Sequence, residues 1–160
     1  MPAVNPASLD IATLAWLTGS AANDYLLERL HRIGHQGVRT SHGYVIQHLI
    51  DGGPTVTELA AHLGVTQQAA SKYVRELEGL GYVQRAADAD DARVRRLSLT
   101  ERGHELVADS RQARTELESA LVERAGAGAV TQAGTVLSHL LDLVHGTDGV
   151  TRRATRPPQA

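Results

Sequence analysis

Cysteine and phenylalanine are absent from the 160 residues, methionine occurs once, and aromatic residues make up 3% of the chain. Without thiols there is no disulfide, no thiolate zinc site and no thiol-based redox sensor, and one methionine leaves no sulfoxide switch. The composition fits the cytoplasm. So few aromatics argue against a base-stacking platform for single-stranded nucleic acid. Long apolar runs are missing too. None nears the roughly 20 residues needed to cross a bilayer, and the opening MPAVNPASLD has neither the basic nor the apolar region of a signal peptide. The last absence is an excess of positive charge. A formal net charge of −2 argues against binding polyanions by bulk charge, so any nucleic-acid site must be local and must read a duplex.

What is present is helical periodicity. With 42% hydrophobic residues a chain of this length fills one core of ordinary size, and one domain is expected. Leu9, Ala12, Trp16, Leu26, Leu30 and Ile33, at three- and four-residue spacing, predict a long first helix that GHQGV breaks. SHGYVIQHLI predicts a second helix, stopped at Asp51-Gly52-Gly53-Pro54. Thr55 and Glu58 fit a capping box opening a short third helix, which buries Val56, Leu59, Ala60 and Leu63 and ends at Gly64. Only Val65 intervenes before Thr66, the cap of a fourth helix running to Gly81 and burying Ala70, Val74 and Leu77, with Tyr73 a further candidate for burial. Two helices joined this tightly make a helix-turn-helix. YVQRA and RVRRLSLT then alternate like strands around a polar turn, a candidate wing. Thr100 caps a long helix carrying Leu106, Ala113, Leu117 and Leu121. A last helix, with Val136, Leu137, Leu140, Leu141 and Val144, is expected after GAGA, residues 126–129. The polar, proline-ended residues 147–160 are expected to be disordered.

The order of these elements, the stretch VTELAAHLGVTQQAASKYVRELEGLGYV and the stretch DADDARVRRLSLTERG resemble the MarR family of winged helix-turn-helix transcriptional regulators. The family's wing pattern is roughly Asp-Pro-x-Asp-Arg-Arg, three residues, then Leu-x-Leu-Thr-x-x-Gly. Asp88, Asp91, Arg93, Leu97, Leu99, Thr100 and Gly103 fall in step with it. Ala89 replaces the proline and Ala92 the first of the paired arginines, which implies a looser tip and one fewer phosphate contact, with Arg95 and Arg96 placed to compensate.

The resemblance implies a mainly α fold with a small two- or three-stranded β wing, in one domain over residues 1–146. Residues 9–34 and 101–146 would be dimerisation helices and residues 40–100 the winged DNA-binding lobe. It also implies a homodimer whose two lobes enter successive major grooves of a palindromic duplex. The family commonly represses, and is released by a small, lipophilic effector in a crevice between the dimer helices and the lobe. No cofactor and no membrane partner are expected, and the cytoplasm, on the nucleoid when DNA is bound, is the expected location.

On the fourth helix Gln68, Ser71, Lys72 and Arg75 recur at i, i+3, i+4 and i+7, opposite Ala70, Val74 and Leu77. Alone, such a stripe is an ordinary solvated face. Preceded by a tight turn and followed by a wing, it becomes a candidate recognition surface. Glutamine can pair with adenine, arginine or lysine with guanine, and serine with bases or phosphate. Thr66, Gln67, Gln68, Ser71, Lys72 and Arg75 are therefore the recognition-helix candidates, with Gln67 and Gln68 reading bases and Lys72 and Arg75 reading guanine or clamping phosphate. Glu76 and Glu78 would repel phosphate and should face away or pair with arginine.

In the wing, Asp91, Arg93, Arg95 and Arg96 are the candidates. By the resemblance Arg93 enters the minor groove and Asp91 holds the wing's geometry; arginine suits a narrow groove because its cation is weakly hydrated. Over residues 66–103 the seven cations Lys72, Arg75, Arg85, Arg93, Arg95, Arg96 and Arg102 barely outnumber the six carboxylates Glu76, Glu78, Asp88, Asp90, Asp91 and Glu101. Binding must therefore depend on placement and on two lobes acting together. For the effector crevice, Trp16, Tyr25, Arg39, His42 and Tyr44 are candidates.

Eight histidines raise a metal-responsive regulator as an alternative, with His31 and His35 four residues apart and His42 beyond. Zinc needs three or four converging ligands and His104 has no second histidine one turn on, so no metal residues are assigned. The other alternative is a winged-helix module that binds protein instead of DNA. An enzyme is not expected, since no nucleophile elbow, HExxH, P-loop or dinucleotide fingerprint occurs.

Overall fold

The structure, a computed structural model, describes residues 5–88, 91 and 93–144. A 3-10 turn at Pro6–Ser8 leads into helix α1, Ile11–Arg32, whose cap is Asp10 accepting from the Thr13 amide. The helix thus begins two residues later than the apolar spacing predicts, because Leu9 sits in the extended link ahead of the cap. Helix α2 spans Thr40–Leu49. Helix α3, Val56–Leu63, opens on the expected capping box: the Thr55 hydroxyl accepts from the Glu58 amide at 3.2 Å, and the Glu58 carboxylate accepts from the Thr55 amide at 2.7 Å. Gly64 ends it with φ +64°, a left-handed conformation in which a side chain would be strained.

Thr66 caps helix α4, Gln67–Gly79, by accepting from the Ala69 amide at 3.1 Å. The helix stops two residues short of Gly81, which takes φ +80° and turns the chain into the hairpin. Strands β1, Val83–Ala87, and β2, Arg95–Leu99, pair antiparallel with Val83 opposite Leu99 and Ala87 opposite Arg95. The sheet has two strands among the described residues; where a third would lie, the Leu97 amide donates a single bond to the Pro54 carbonyl at 2.9 Å. Helix α5, Glu101–Ala125, is capped by Thr100. Helix α6, Ala127–Leu143, follows a break of one residue, Gly126, so most of GAGA, residues 126–129, is helical rather than a linker. The predicted disordered tail lies outside the described residues.

The core belongs to the winged lobe. Val45, Leu59, Leu63, Val74, Leu77, Tyr82 and Leu97 are fully buried in one cluster, which Leu30 of α1 and Leu106 of α5 join from the helical side. Tyr82, rather than Tyr73, is the aromatic centre; Tyr73 only packs against the cluster from its edge. Helix α6 buries no residue at all. This division, a packed lobe carried on helices with apolar surface left over, is what positions the two candidate sites.

Candidate nucleic-acid interface and effector crevice

Helix α4 is sorted by its own periodicity. Ala70, Val74 and Leu77 are fully buried, and the burial fixes the opposite side of the helix, where Thr66, Gln67, Gln68, Lys72 and Arg75 are exposed and Ser71 is half-buried. Three of these candidates have side-chain partners inside the chain, Thr66 as the cap that accepts from the Ala69 amide. Arg75 folds along the helix, its Nε donating to the Ser71 carbonyl at 3.3 Å, and Gln67 donates from Nε2 to the Thr57 hydroxyl of α3 at 3.1 Å. Gln68 and Lys72 make no side-chain hydrogen bond among the described residues.

The acidic residues on the same helix are neutralised from behind. Glu76 accepts from Arg39 and from His42, the latter at 3.0 Å, and Glu78 accepts from Arg85 of β1 at 3.0 Å. Hydrogen bonding to His42 and Arg39 holds the Glu76 carboxyl below its usual range, so it is an anion whose charge is already matched. The expectation that these glutamates pair with arginine is met.

In the wing the four candidates divide. Asp91 accepts from the Arg93 amide at 2.9 Å, and the Val94 amide closes the same turn on the Asp91 carbonyl at 2.9 Å. Such an Asx turn fixes the backbone and leaves the Arg93 side chain exposed. Arg95 is exposed as well. Arg96 is anchored instead: it pairs with Asp88, donates to the Gly53 carbonyl at 3.0 Å and lies 3.7 Å from Glu58, tying the wing to the turn before α3. Sequence spacing could not separate Arg95 from Arg96, because the carboxylates that hold Arg96 come from two other segments.

The effector candidates occupy different places. Trp16 and Tyr44 line one open cavity of about 600 Å³, together with Ser20, Asn23, Asp24 and Thr40. Arg39 lines a second, narrower one of about 70 Å³ between α1, α2 and α5, walled by Leu26, Leu30, Val38, Ile46 and Leu106, with Arg114 opposite. The Asn23 amide donates to the Thr40 hydroxyl at 2.8 Å, and both residues border both cavities. His42 is 1% exposed, lines neither, and serves the Glu76 contact; burial pushes its imidazole down from the usual range. Tyr25 lines neither cavity.

The histidines of the metal alternative are used separately. His31 bonds the Val38 carbonyl at 2.8 Å, while buried His35 bridges Tyr82 Oη at 3.1 Å and Asp109 at 2.8 Å. The four-residue spacing had no way to reveal these partners, which lie up to 74 residues away. Among the described residues no three His, Asp or Glu side chains are placed to hold a metal ion. Likewise, no described helix is long and apolar enough to cross a membrane.

A tight helix-turn-helix with an exposed polar second helix, followed by a hairpin, defines a winged helix-turn-helix, an architecture built to present one helix to a major groove. Residues 36–94 match the model of the MarR family. No curated protein sequence matches the chain. Among solved structures, YusO from Bacillus subtilis superposes with a TM-score of 0.66 at 22% identity, covering 83% of this chain and 93% of that one. The MepR–DNA complex of S. aureus gives a TM-score of 0.67 at 22% identity, over 83% of this chain and 98% of that one. A mutant MarR from E. coli gives 0.64 at 20% identity, over 83% and 97%. The likeness extends beyond the winged lobe to the flanking helices, and at these identities it is a likeness of fold.

Proposed function

We propose that the protein is a homodimeric, sequence-specific regulator of transcription that binds palindromic duplex DNA through α4 and the wing, represses, and is released by a small-molecule effector. The observation that carries the reading is electrostatic sorting. Lys72, Arg75, Arg93 and Arg95 have no carboxylate partner among the described residues, whereas Glu76, Glu78 and Asp88 are each matched by a cation from another segment. A lobe with almost balanced formal charge thus keeps unpaired cations on α4 and the wing, where phosphate would approach, with Asp91 retained beside them as the acceptor that fixes the wing turn. The fold it shares with MepR, a protein solved in complex with DNA, points the same way.

Dimerisation is supported by what the isolated chain leaves bare. Leu121 on α5, Val136, Leu137 and Leu141 on α6, and Ile11 and Leu17 on α1 are exposed. Exposed apolar side chains on all three helices outside the lobe are what a subunit interface would cover. Two lobes on a two-fold axis would read half-sites about 34 to 36 Å apart. The cavities beside Arg39 and Trp16 lie between the lobe and these helices, where an occupant would alter lobe spacing and misplace both recognition helices.

The test is recovery of fragments of the protein's own genomic DNA at about 0.15 M salt, where non-specific binding is weakened. A shared palindrome among the recovered fragments is the expected result. Uniform or absent retention by a folded dimer would overturn the reading in favour of a protein-binding module.

A further inference from the structure

The first residue of α4 is not a free reader. Gln67 donates from Nε2 to Thr57 Oγ1 at 3.1 Å, across the turn that separates α3 from α4. Both side chains are exposed, so the bond is not a device of the core. Thr57 takes no part in capping α3, a task done by Thr55 and Glu58 on either side of it. Nothing among the described residues engages Gln67 Oε1. An exposed glutamine ordinarily samples many rotamers, and fixing one costs conformational entropy each time it binds. Here a neighbouring helix holds the amide before any ligand arrives, with its oxygen and one remaining N–H hydrogen left to solvent.

We infer that Thr57 is a positioning residue for base recognition: it orients the Gln67 amide so that Oε1 accepts from the exocyclic amino group of a base in the major groove. Adenine N6 and cytosine N4 are the amino donors displayed there, while guanine and thymine present acceptors at the equivalent place. The inference rests on the DNA-reading role proposed above and adds a residue outside α4 to the determinants of sequence. Preorganisation of this kind sharpens discrimination, because a wrong base then faces a fixed acceptor that cannot swing away.

The experiment is selection of bound duplexes from a random-sequence pool by the wild-type dimer and by Thr57→Val, Thr57→Ser and Gln67→Ala, with thermal melting to confirm folding. Valine keeps the branched shape of threonine without the hydroxyl, and serine restores the hydroxyl. The wild type should prefer adenine or cytosine about fivefold or more at one position in each half-site, the lower end of what a good base contact supplies. Gln67→Ala should abolish that preference, Thr57→Val should reduce it at that position alone, and Thr57→Ser should recover it. An unchanged base preference in Thr57→Val, failure of serine to restore a lost one, or enrichment of guanine or thymine at the position Gln67 controls would overturn the inference while leaving DNA binding intact. If the wild type enriches no palindrome, the DNA-reading role falls and this inference with it, a result visible before any variant is compared.

Discussion

His42 and Glu76 are joined by a 3.0 Å hydrogen bond that runs from the first turn of α2 to the back of α4. Arg39, the N-cap residue of α2, pairs with the same carboxylate. Helix α4 is therefore tied to the helix beneath it by charge as well as by Val74 and Leu77. Arg39 also lines the narrow cavity beside α1 and α5, so one residue borders the crevice and, through its guanidinium, holds the helix proposed to read DNA.

Acid should loosen this tie. Burial holds the His42 imidazole below its ordinary value of 6.5, and the bond to His42 holds the Glu76 carboxyl below its ordinary 4.5. Both shifts have the same sign, since each group binds a proton less readily in the folded chain than in the unfolded one. His42 therefore costs nothing above pH 6.5 and lowers stability as the pH falls from there toward its depressed value. The Glu76 contribution is complete above 4.5 and is lost as the pH falls through its own lowered value. Denaturation midpoints in urea should drop between about pH 7.5 and about pH 5.5, and the drop should be smaller in His42→Gln. An equal drop in both proteins would remove His42 from the cause.

Gly103 should tolerate no side chain. A Cβ there would lie 2.2 Å from the Tyr82 carbonyl oxygen and 3.1 Å from Leu99, and the first of these is backbone held by the Thr100 amide. Gly103→Ala must push α5 away from the base of the wing and should destabilise by about 1 to 3 kcal/mol or more, the cost of overpacking a filled core. Chemical denaturation measures it, and a wild-type midpoint would show that the junction has slack.

Much of the lobe was legible because its signals are local. Thr55 with Glu58, Gly64, Thr66 and Thr100 each act within a few residues, through caps or a left-handed turn, and each stands where its spacing predicts. The stripe Gln68, Lys72 and Arg75 was legible for the same reason, as the complement of Ala70, Val74 and Leu77. What sequence did not reveal was long-range pairing. Tyr82 looks like a strand residue, yet His35 and Arg102 meet its hydroxyl from 47 and 20 residues away. Arg96 resembles Arg95 until Asp88, Glu58 and Gly53 are seen around it, and Gln67 resembles Gln68 until Thr57 is. Such assignments depend on which loops meet, and no periodicity carries that information.

Arg93 and Arg96 should behave differently when removed. Arg93 is exposed on a turn fixed by Asp91 through its amide alone. Arg93→Ala should therefore leave stability unchanged, weaken DNA binding and lower the salt slope by about 1 for each phosphate the arginine neutralises. Arg96→Ala breaks ion pairs that are partly exposed, worth about 0 to 1 kcal/mol, and frees the wing from the turn at Gly53. Its main effect should be on protection of wing amides from hydrogen exchange. Equal salt slopes in the two variants would contradict this division.

Gln68, unlike Gln67, has no side-chain partner among the described residues, and its amide should be committed only by DNA. Gln68→Ala should reduce discrimination between a selected site and a scrambled duplex by about 1 to 3 kcal/mol if it makes a paired contact with a base. Competition binding separates the cases: equal weakening on both duplexes would assign Gln68 to phosphate.

The proposed dimer stands on apolar surface that the isolated chain cannot cover. Leu137 is 46% exposed on α6, a helix that buries none of its own residues, so Leu137→Asp removes nothing from the core of the lobe. In a two-fold interface the substitution occurs twice, placing two carboxylates in an apolar setting without cations to match them. Sedimentation should show monomer at concentrations where the wild type is dimeric, while the melting of the lobe, packed around Tyr82 and Leu97, persists. DNA affinity should fall far more than one altered side chain remote from the duplex explains, because each lobe would then bind its half-site alone and forfeit the effective concentration its partner supplied. A variant that remains dimeric in sedimentation would place the interface elsewhere, on α1 and the exposed face of α5.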